Sequence, residues 1–584
     1  MKKILFILGL AALGMVSCTI DEHFRSDTMT STQLKSDPTA AVYTTDGVYT
    51  LFKDELEYKG NYASGCTYVR HFFQMSEFRG DNATLSGKTT DPLYQEFCYN
   101  DDGTLKNNQT FWWIAYRIIF SANSNIEAID ENSSDEAAHM KGENYFMRAI
   151  AHFNLVNIYA QPLACGGNNP GVVLRTSTDT SKTEKATVQQ VYDQVVLDLQ
   201  EAARLMKGRT PRGDKGYISY EAAMGLLSRV YLYMEQYDLV IETVNTMLGG
   251  AAPRTKLDDN YETLFTNACA SNEVLWCVAH TDTENKDTGS IGSMYFSPNG
   301  TGGIGWGEIY WSDPLLELIR RYPQDLRYTT QYWLYDSDPH DGNDRAIVHW
   351  PTKSDKAEDF NRMNVTVPTA VKNADGKWEF KSEGKTYVVE HKDKNSDGYM
   401  ETYIKGNPTG AEVDKDGDVR VYVTENVNIT SKDFRYDYPQ YMMKKFSNQN
   451  NKPNLSSPIM VRWGEVILNR AEAHAELGHD ADALADVNAI RNRAGIPEWN
   501  DSDHKWSDHY TDIVDVVLDE RRLELCFEGH RAFDVWRKRQ SMDRRFAGSH
   551  PWEVVDYTDP RIPYQIPLDE INVSDIAQNP REGK

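Results

Sequence analysis

The sequence predicts a mainly α-helical fold, in which tetratricopeptide-like (TPR-like) helical repeats form a wall and a large, loop-rich irregular half carries short β-hairpins. Three observations lead to this prediction. Apolar residues recur at helical spacing in paired segments on both sides of the middle of the chain, as in helix-pair repeats. Between those segments, residues 251–452 combine glycines, aromatic residues and Asp-Gly turns. Long insertions also separate the pairs, so the repeats do not stack without interruption.

The N-terminus has the features of an export signal. Two lysines precede a short apolar run that ends directly before Cys18, and the run is too short to span a membrane as a helix. Met15-Val16-Ser17-Cys18 is similar to a bacterial lipobox, with Met in place of the usual Leu. We therefore predict a signal peptide over residues 1–17, lipidation of Cys18 and a polar tether over 18–36. An ordinary secreted protein is the alternative.

The first part of the helical wall is predicted over residues 37–250. Apolar periodicity predicts helices over 40–58, 111–130, 144–160, 188–206, 220–233 and 238–248. Thr187 and Gln190 form a capping-box pattern before the fourth of these helices, and Ser219 is placed to cap the fifth. The sequence between the first two helices is typical of a loop.

The second part of the wall is predicted over residues 453–540, and residues 541–584 form a C-terminal segment of the same single domain. The clearest helix pair spans residues 458–477 and 481–494. Gly478 ends the first helix, Asp480 is placed to cap the second, and Gly495 ends it.

Residues 517–537, VLDERRLELCFEGHRAFDVWR, are dense in ionisable side chains. Glu520, Glu524 and Glu528 recur at every fourth position, so one helical face carries carboxylates. Gly529 is able to take a positive φ, and a second helical segment follows it. The pattern predicts two helices joined at a glycine turn. Mixed charges on helices are usually solvated faces or structural ion pairs, an interpretation that we favour over an acid/base site.

The run ERRLELCFEGHRAFDVWR resembles the C-terminal signature of the SusD/RagB family, and RWGEVILNRAEAHAELG and ADVNAIRNRAG together are similar to a helix pair of that family. The resemblance implies a SusD-like fold in which these charges are structural. It also implies a non-catalytic lipoprotein that captures a nutrient, here a glycan, for a SusC-like TonB-dependent transporter. Asp21 and Glu22 resemble the acidic signal that places such lipoproteins on the outer face of the outer membrane.

The irregular half, residues 251–452, contains the candidate ligand site. Sugar rings stack their C–H faces on flat aromatic surfaces, and aromatic residues in glycine-rich loops are less readily explained as core than those on a periodic helix. We predict ligand contacts at Tyr295, Phe296, Trp306, Tyr310 and Trp311. The resemblance implies a second set in an early loop, at Arg79, Asp81 and Asn82. Period-2 alternation and Asp-Gly turns predict β-hairpins over 372–429.

Metal sites have weak support in the sequence. Asp393, Asn395 and Asp397 resemble the start of a calcium loop, but the twelfth position is Ile404 and Asp-Gly hairpin chemistry explains the same residues. His474 and His479 flank the end of a predicted helix, and their spacing of five favours a surface pair on different faces. We therefore predict no cofactor, with calcium as the alternative.

Six cysteines remain after Cys18, too few for a disulfide scaffold in so long a chain. Cys269 and Cys277 are placed to form a disulfide in an oxidising compartment, and buried free thiols explain them equally well.

The net charge and the lack of catalytic motifs argue against several classes of partner and activity. A formal net charge of −25 argues against nucleic acid and anionic lipid as direct partners and suits a neutral ligand. The sequence contains no nucleophile elbow, HExxH motif or P-loop, so we predict no catalytic residue. Three alternatives stay open: capture of peptides by the same architecture, a surface glycosidase, and a helical scaffold without a small ligand.

Overall fold

The fold is described by a computed structural model. It describes residues 40–56, 65–85, 92–181, 183–296, 305–329, 334–336, 345–350, 369–393, 400–408, 411, 413–414, 416–425, 434–435, 438–439, 441–500, 502–546, 548, 550–551, 553–574 and 576–581. The predicted signal peptide, the lipidation site Cys18 and the tether lie outside these residues and stay predictions.

Helices dominate the described residues, which confirms the mainly α prediction. They are α1 Ala40–Leu51, α2 Tyr68–Glu77, α3 Pro92–Phe97, α4 Lys106–Ala128, α5 Asp135–Tyr159, α6 Val188–Met206, α7 Tyr220–Tyr233, α8 Tyr237–Leu248, α9 Tyr261–Thr266, α10 Gly292–Tyr295, α11 Asp313–Arg320, α12 Leu326–Thr329, α13 Trp463–Glu476, α14 Asp480–Ala494, α15 Ile513–Glu524, α16 Arg531–Arg537 and α17 Leu568–Ile571. Helices α4 to α8 pack in sequence, each against the next, and α13 packs on both α14 and α15. Within the ranges that the structure describes, no helix is both long and apolar enough to cross a membrane.

Local capping signals account for the ends of several helices. Thr187 and Gln190 form the predicted capping box of α6, with N–H···O distances of 2.9 and 3.2 Å. Ser219 caps α7 by accepting the N–H of Ala222 at 3.3 Å. Helix α5 begins nine residues earlier than predicted, because Ser134 caps it by accepting the N–H of Ala137.

Helix α2 corrects the prediction of a loop at this position. Thr67 caps it by accepting the N–H of Arg70 at 3.3 Å. Nearly every side chain of α2 is buried, including polar ones such as Gln74 and Glu77. The helix is enclosed on its polar side as well as its apolar side, and its ten residues are fewer than the window over which apolar periodicity identifies a helix.

The strands form mostly two-stranded antiparallel pairs. They are β1 Ala83–Leu85, β2 Pro170–Val173, β3 Lys185–Thr187, β4 Val274–Cys277, β5 Ile309–Trp311, β6 Leu334–Asp336, β7 Arg345–His349, β8 Thr369–Lys372, β9 Trp378–Ser382, β10 Lys385–Asp393, β11 Met400–Lys405, β12 Asp418–Arg420, β13 Tyr422–Glu425, β14 Phe434–Arg435, β15 Tyr438–Pro439, β16 Tyr441–Met443, β17 Ile459–Arg462, β18 Met542–Asp543 and β19 Val554–Val555. Among these pairs are β1 with β5, and β4 with β17.

The larger sheet has the strand order β12-β11-β10-β9-β8-β7-β13 and contains the predicted hairpins. Its two outer strands are separated in the chain by Val421 alone, whose N–H donates to Thr402 of β11 at 3.0 Å. One continuous strand therefore borders both β11 and β7, and the sheet closes into a small barrel. Alternate side chains fill the barrel with a core of its own, including Val348, Phe380 and Val419.

A buried ion-pair network joins the irregular half to the helical wall. Glu524, at the end of α15, accepts from Arg462 of β17 at 2.7 Å and from Arg327 of α12 at 3.3 Å, and it also pairs with Arg493 of α14. Glu528 accepts from Arg462 Nε at 2.8 Å. These side chains are buried, so the charges of the motif are internal ion pairs, as the sequence predicts.

Candidate ligand-binding site

Arg79 belongs to the protein interior, which corrects its predicted ligand contact. Its side chain is 1% exposed and forms an ion pair with buried Asp101. The guanidinium lies over the rings of Tyr99 and Tyr564, at 4.4 and 4.0 Å from their centroids, and donates to the carbonyl of Arg561 at 3.1 Å. Arg79 therefore fastens the loop after α2 to the C-terminal segment.

Asp81 and Asn82 are also buried and paired with other side chains. Asp81 accepts from Arg531 Nε at 2.7 Å and pairs with Arg522 at 3.2 Å. Burial alone would raise the pKa of Asp81, but the two guanidinium groups outweigh burial and hold that pKa at about 2. Asn82 accepts from Arg522 at 2.9 Å and donates to Glu77 at 3.1 Å. The predicted early-loop set is a structural anchor in this fold.

Four of the five predicted aromatic contacts also lie in the core. Tyr295 packs against Phe446 and Phe527, and Trp311 packs against Phe527, with centroid distances of 5.6 to 5.8 Å. The hydroxyl of Tyr310 donates to the carbonyl of Gly307 at 2.6 Å. Phe296 is 6% exposed, and Tyr295, Tyr310 and Trp311 are fully buried. Their rings offer no open face to a sugar, which corrects this part of the prediction.

Trp306 is different, because its side chain is 55% exposed. Its backbone N–H donates to the carbonyl of Ser293 at 2.7 Å, which holds the residue beside α10. In the sequence, Trp306 lies shortly before β5. The N–H groups of Gly307 and Glu308 donate to the carbonyls of Ser293 and Met294 at 3.0 and 2.9 Å, so the backbone that follows Trp306 is also tied to α10. Trp306 is therefore the predicted ligand contact that the described structure leaves open to solvent. Residues 297–304 and 330–333, the latter including Tyr332 and Trp333, lie outside the described residues.

Helix α4 provides a second aromatic surface that the sequence analysis did not single out. Trp113, Arg117 and Phe120 follow at positions i, i+4 and i+7, and the Arg117 guanidinium lies 5.0 Å from the Trp113 ring centroid. Phe120 is 48% exposed. A groove of about 440 Å³ runs beside them, lined by Trp113, Tyr116, Phe120, Asn123, Arg175 and Glu570 among others. The Trp-Arg-Phe stripe is the sequence signal, but periodicity alone could not separate it from a core face.

A second cavity, of about 470 Å³, is lined mostly by charged side chains, with Asp81 among them. Asp519 is central to it and accepts from Arg321 at 3.1 Å and from the hydroxyl of Tyr510 at 2.9 Å. Charged groups already paired with one another do not form a stacking surface for a neutral sugar. The cavity fits the predicted ligand less well than the two aromatic surfaces.

The structure does not describe the side chains of the weak calcium candidate. Asn395, Asp397 and the side chain of Asp393 are not among the residues that the structure describes. The backbone of Asp393 pairs with Met400, and Ile404 pairs with Val389, so the segment joins two strands of an antiparallel hairpin. Calcium binding stays a prediction.

Comparisons with known proteins agree with the fold. Residues 272–578 match the profile of a family described as "SusD family", and residues 59–232 match one described as "Starch-binding associating with outer membrane". Two curated relatives from Formosa agariphila are similar over most of their length. SusD-like protein P38 is 23% identical, covering 81% of this chain and 80% of the relative, and SusD-like protein P2 is 22% identical, covering 87% of each.

Solved structures show the same architecture. A SusD superfamily protein from Bacteroides thetaiotaomicron has a TM-score of 0.65 at 21% identity, with 93% of this chain and 99% of that chain covered. A putative sugar binding protein from Bacteroides vulgatus has a TM-score of 0.63 at 20% identity, with 93% and 98% covered. A laminarin-binding SusD-like protein has a TM-score of 0.59 at 19% identity, with 93% and 99% covered.

Proposed function

The chain belongs to the SusD family, and from this membership we propose that it is a cell-surface lipoprotein that binds oligosaccharides or polysaccharides. The observation that carries the proposal is the match of two parts of the chain to SusD-type profiles, one of them described as starch-binding and outer-membrane-associated. Trp306 supports it, because an indole that is 55% exposed on a fixed backbone suits the C–H face of a sugar ring.

Binding alone is the proposed mechanism. One or more exposed aromatic rings stack on sugar units, and neighbouring polar groups form hydrogen bonds with the sugar hydroxyls. A modest affinity permits release of the glycan. The captured glycan then passes to a SusC-like TonB-dependent transporter in the outer membrane. Acyl chains on Cys18 would hold the protein at the cell exterior, since each buried CH₂ contributes about 0.8 kcal/mol to anchoring.

A surface glycosidase is the alternative from another class. Glycoside hydrolysis needs a carboxylic acid with a raised pKa at an open cleft. Burial raises the pKa of Glu77 to about 7, but this side chain is fully enclosed and bonded to Asn82 and to the N–H of Gly529. Its carboxyl group cannot contact a sugar, so the raised pKa of Glu77 does not support the glycosidase alternative.

The test is a calorimetric titration of the mature chain against a panel that includes starch, laminarin and other polysaccharides, with peptides as the comparison. We expect saturable binding to one glycan class and no release of reducing ends from it. Peptide binding with no response to any glycan would favour peptide capture, and hydrolysis would favour the glycosidase. Co-purification of the chain with an outer-membrane transporter from its native envelope tests the partner separately.

A further inference from the structure

We propose that His474, His479 and Asp482 form a surface site for a divalent late transition-metal ion, such as Zn²⁺, at the turn between α13 and α14. One donor atom from each side chain lies within 4.8 Å of the other two. On one straight helix, residues five positions apart point to different faces, so the sequence predicts a surface pair on different faces. The structure corrects that expectation, because α13 ends at Glu476 and the spacing crosses a turn.

The backbone fixes the positions of the three residues. The N–H of His479 donates to the carbonyl of His474 at 2.9 Å, which closes the turn. Gly478 makes the turn possible with a φ of +73°, a conformation that favours glycine. The carbonyl of His479 accepts the N–H of Asp482 at 3.1 Å in the first turn of α14. Since all three residues lie on hydrogen-bonded backbone, the positions from which their side chains extend are set before any ligand arrives.

The two imidazoles have the spacing of a chelating pair. Their Nδ1 atoms are 3.4 Å apart and their ring centroids 5.6 Å apart, so these nitrogens lie on the facing sides of the rings. Two nitrogens bound to one tetrahedral zinc ion are separated by roughly 3.3 Å at ordinary bond lengths. A distance of 3.4 Å is long for a hydrogen bond between two imidazoles. The spacing therefore fits a shared cation better than a direct contact.

The charges around the turn suit the same ligand. The Asp482 carboxylate supplies a negative charge within 4.8 Å of the ligand nitrogens of both histidines. Arg470, one turn earlier on α13, is bonded to Asp486 at 2.7 and 2.9 Å. Two imidazoles and a carboxylate prefer zinc or copper to calcium or magnesium.

The test is a calorimetric titration of the tag-free mature chain with ZnCl₂ at pH 7. We expect one saturable site, weakened at least tenfold in His474→Ala and in His479→Ala and to a smaller extent in Asp482→Asn. His391→Ala, which removes an exposed histidine from β10, should bind zinc like the unsubstituted chain. Absence of saturable binding, or binding by both histidine variants as tight as that of the unsubstituted chain, would overturn the proposal.

A second measurement needs no substitution. Electron paramagnetic resonance of the unsubstituted chain loaded with one equivalent of Cu²⁺ reports the nitrogen ligands directly. We expect superhyperfine splitting from two imidazole nitrogens. A spectrum with fewer than two nitrogen ligands contradicts the proposal, whatever effect the substitutions have on folding.

Discussion

Arg462 Nη1 donates to Glu524 Oε1 across 2.7 Å, and both side chains are buried. The bond joins a strand at the entry to α13 with the last residue of α15, 62 positions later in the chain. Burial alone would raise the pKa of Glu524, but Arg493, Arg462 and Arg327 outweigh burial and lower it. The carboxylate therefore stays charged inside the protein and holds the helical wall and the irregular half together.

We expect Glu524→Gln to lower the free energy of unfolding by about 3–5 kcal/mol, because three buried guanidinium groups lose one of the carboxylates that balance their charge. Urea unfolding followed by circular dichroism measures the change. Glu390→Gln, which breaks an exposed pair with Lys377, is the matched control and should leave the midpoint in place. Equal midpoints for the Glu524 variant and the unsubstituted chain would show that Glu524 does not hold the two parts of the fold together.

Asp81 should contribute to acid unfolding. Its pKa is about 2 in the folded protein, held below the value of an unfolded aspartate by Arg522 and Arg531 against the effect of burial. A depressed carboxyl pKa stabilises the fold above the unfolded pKa, and that stability is lost as the pH falls toward 2. The contribution is about 2 kcal/mol.

We therefore expect Asp81→Asn to reduce stability at pH 7 and to flatten the pH dependence of the urea midpoint between pH 4 and pH 2. Glu242→Gln, on the exposed side of α8, should keep the original profile. An unchanged slope in the Asp81 variant would show that the pairs with Arg522 and Arg531 do not set its protonation.

Trp306 and Trp113 make a matched pair for locating the glycan site. If Trp306 carries the stacking contact, Trp306→Ala should raise Kd at least tenfold, or about 1.4 kcal/mol, while Trp306→Phe keeps part of the affinity. Trp113→Ala should then bind like the unsubstituted chain. Calorimetry with the glycan found by the panel provides the comparison. The reverse pattern would move the site to the groove on α4.

Cys269 and Cys277 should form a disulfide in oxidising conditions. Their sulfur atoms are 3.6 Å apart, and both residues are thiols in this structure. A hydrogen bond from Cys277 lowers the pKa of Cys269, which favours its thiolate as the attacking group. With oxidised glutathione as the electron acceptor, we expect a peptide lighter by two hydrogen atoms. We also expect the free energy of unfolding to rise by about 2–3 kcal/mol.

Mass spectrometry and thermal melting check the disulfide. Cys277→Ser should show neither change under the same conditions. Buried Cys526, whose thiol pKa burial raises to about 11, serves as an internal control that stays reduced. If Cys269 carries glutathione and leaves Cys277 free, the predicted pairing is wrong.

The sequence by itself determined the features that depend on neighbouring residues. The capping box of Thr187 and Gln190, the serine cap at Ser219 and the left-handed glycines at 495 and 529 all appear where the sequence predicts them. Caps and turns are made by side chains within a few positions of the backbone they satisfy, so local order is enough to place them. The resemblance to the family signature was recognisable for a related reason, because the signature is one continuous run, residues 520–537.

Only the tertiary structure decided which polar and aromatic side chains remain open to solvent. Arg79 finds its partners at Asp101 and at the carbonyl of Arg561, 482 positions away, and no local pattern reveals such contacts. Trp311 and Trp306 look alike in sequence, yet one fills the core and the other is exposed. The closure of the barrel through Val421 has the same origin. Burial and proximity are set by long-range packing, which residue type and spacing do not encode locally.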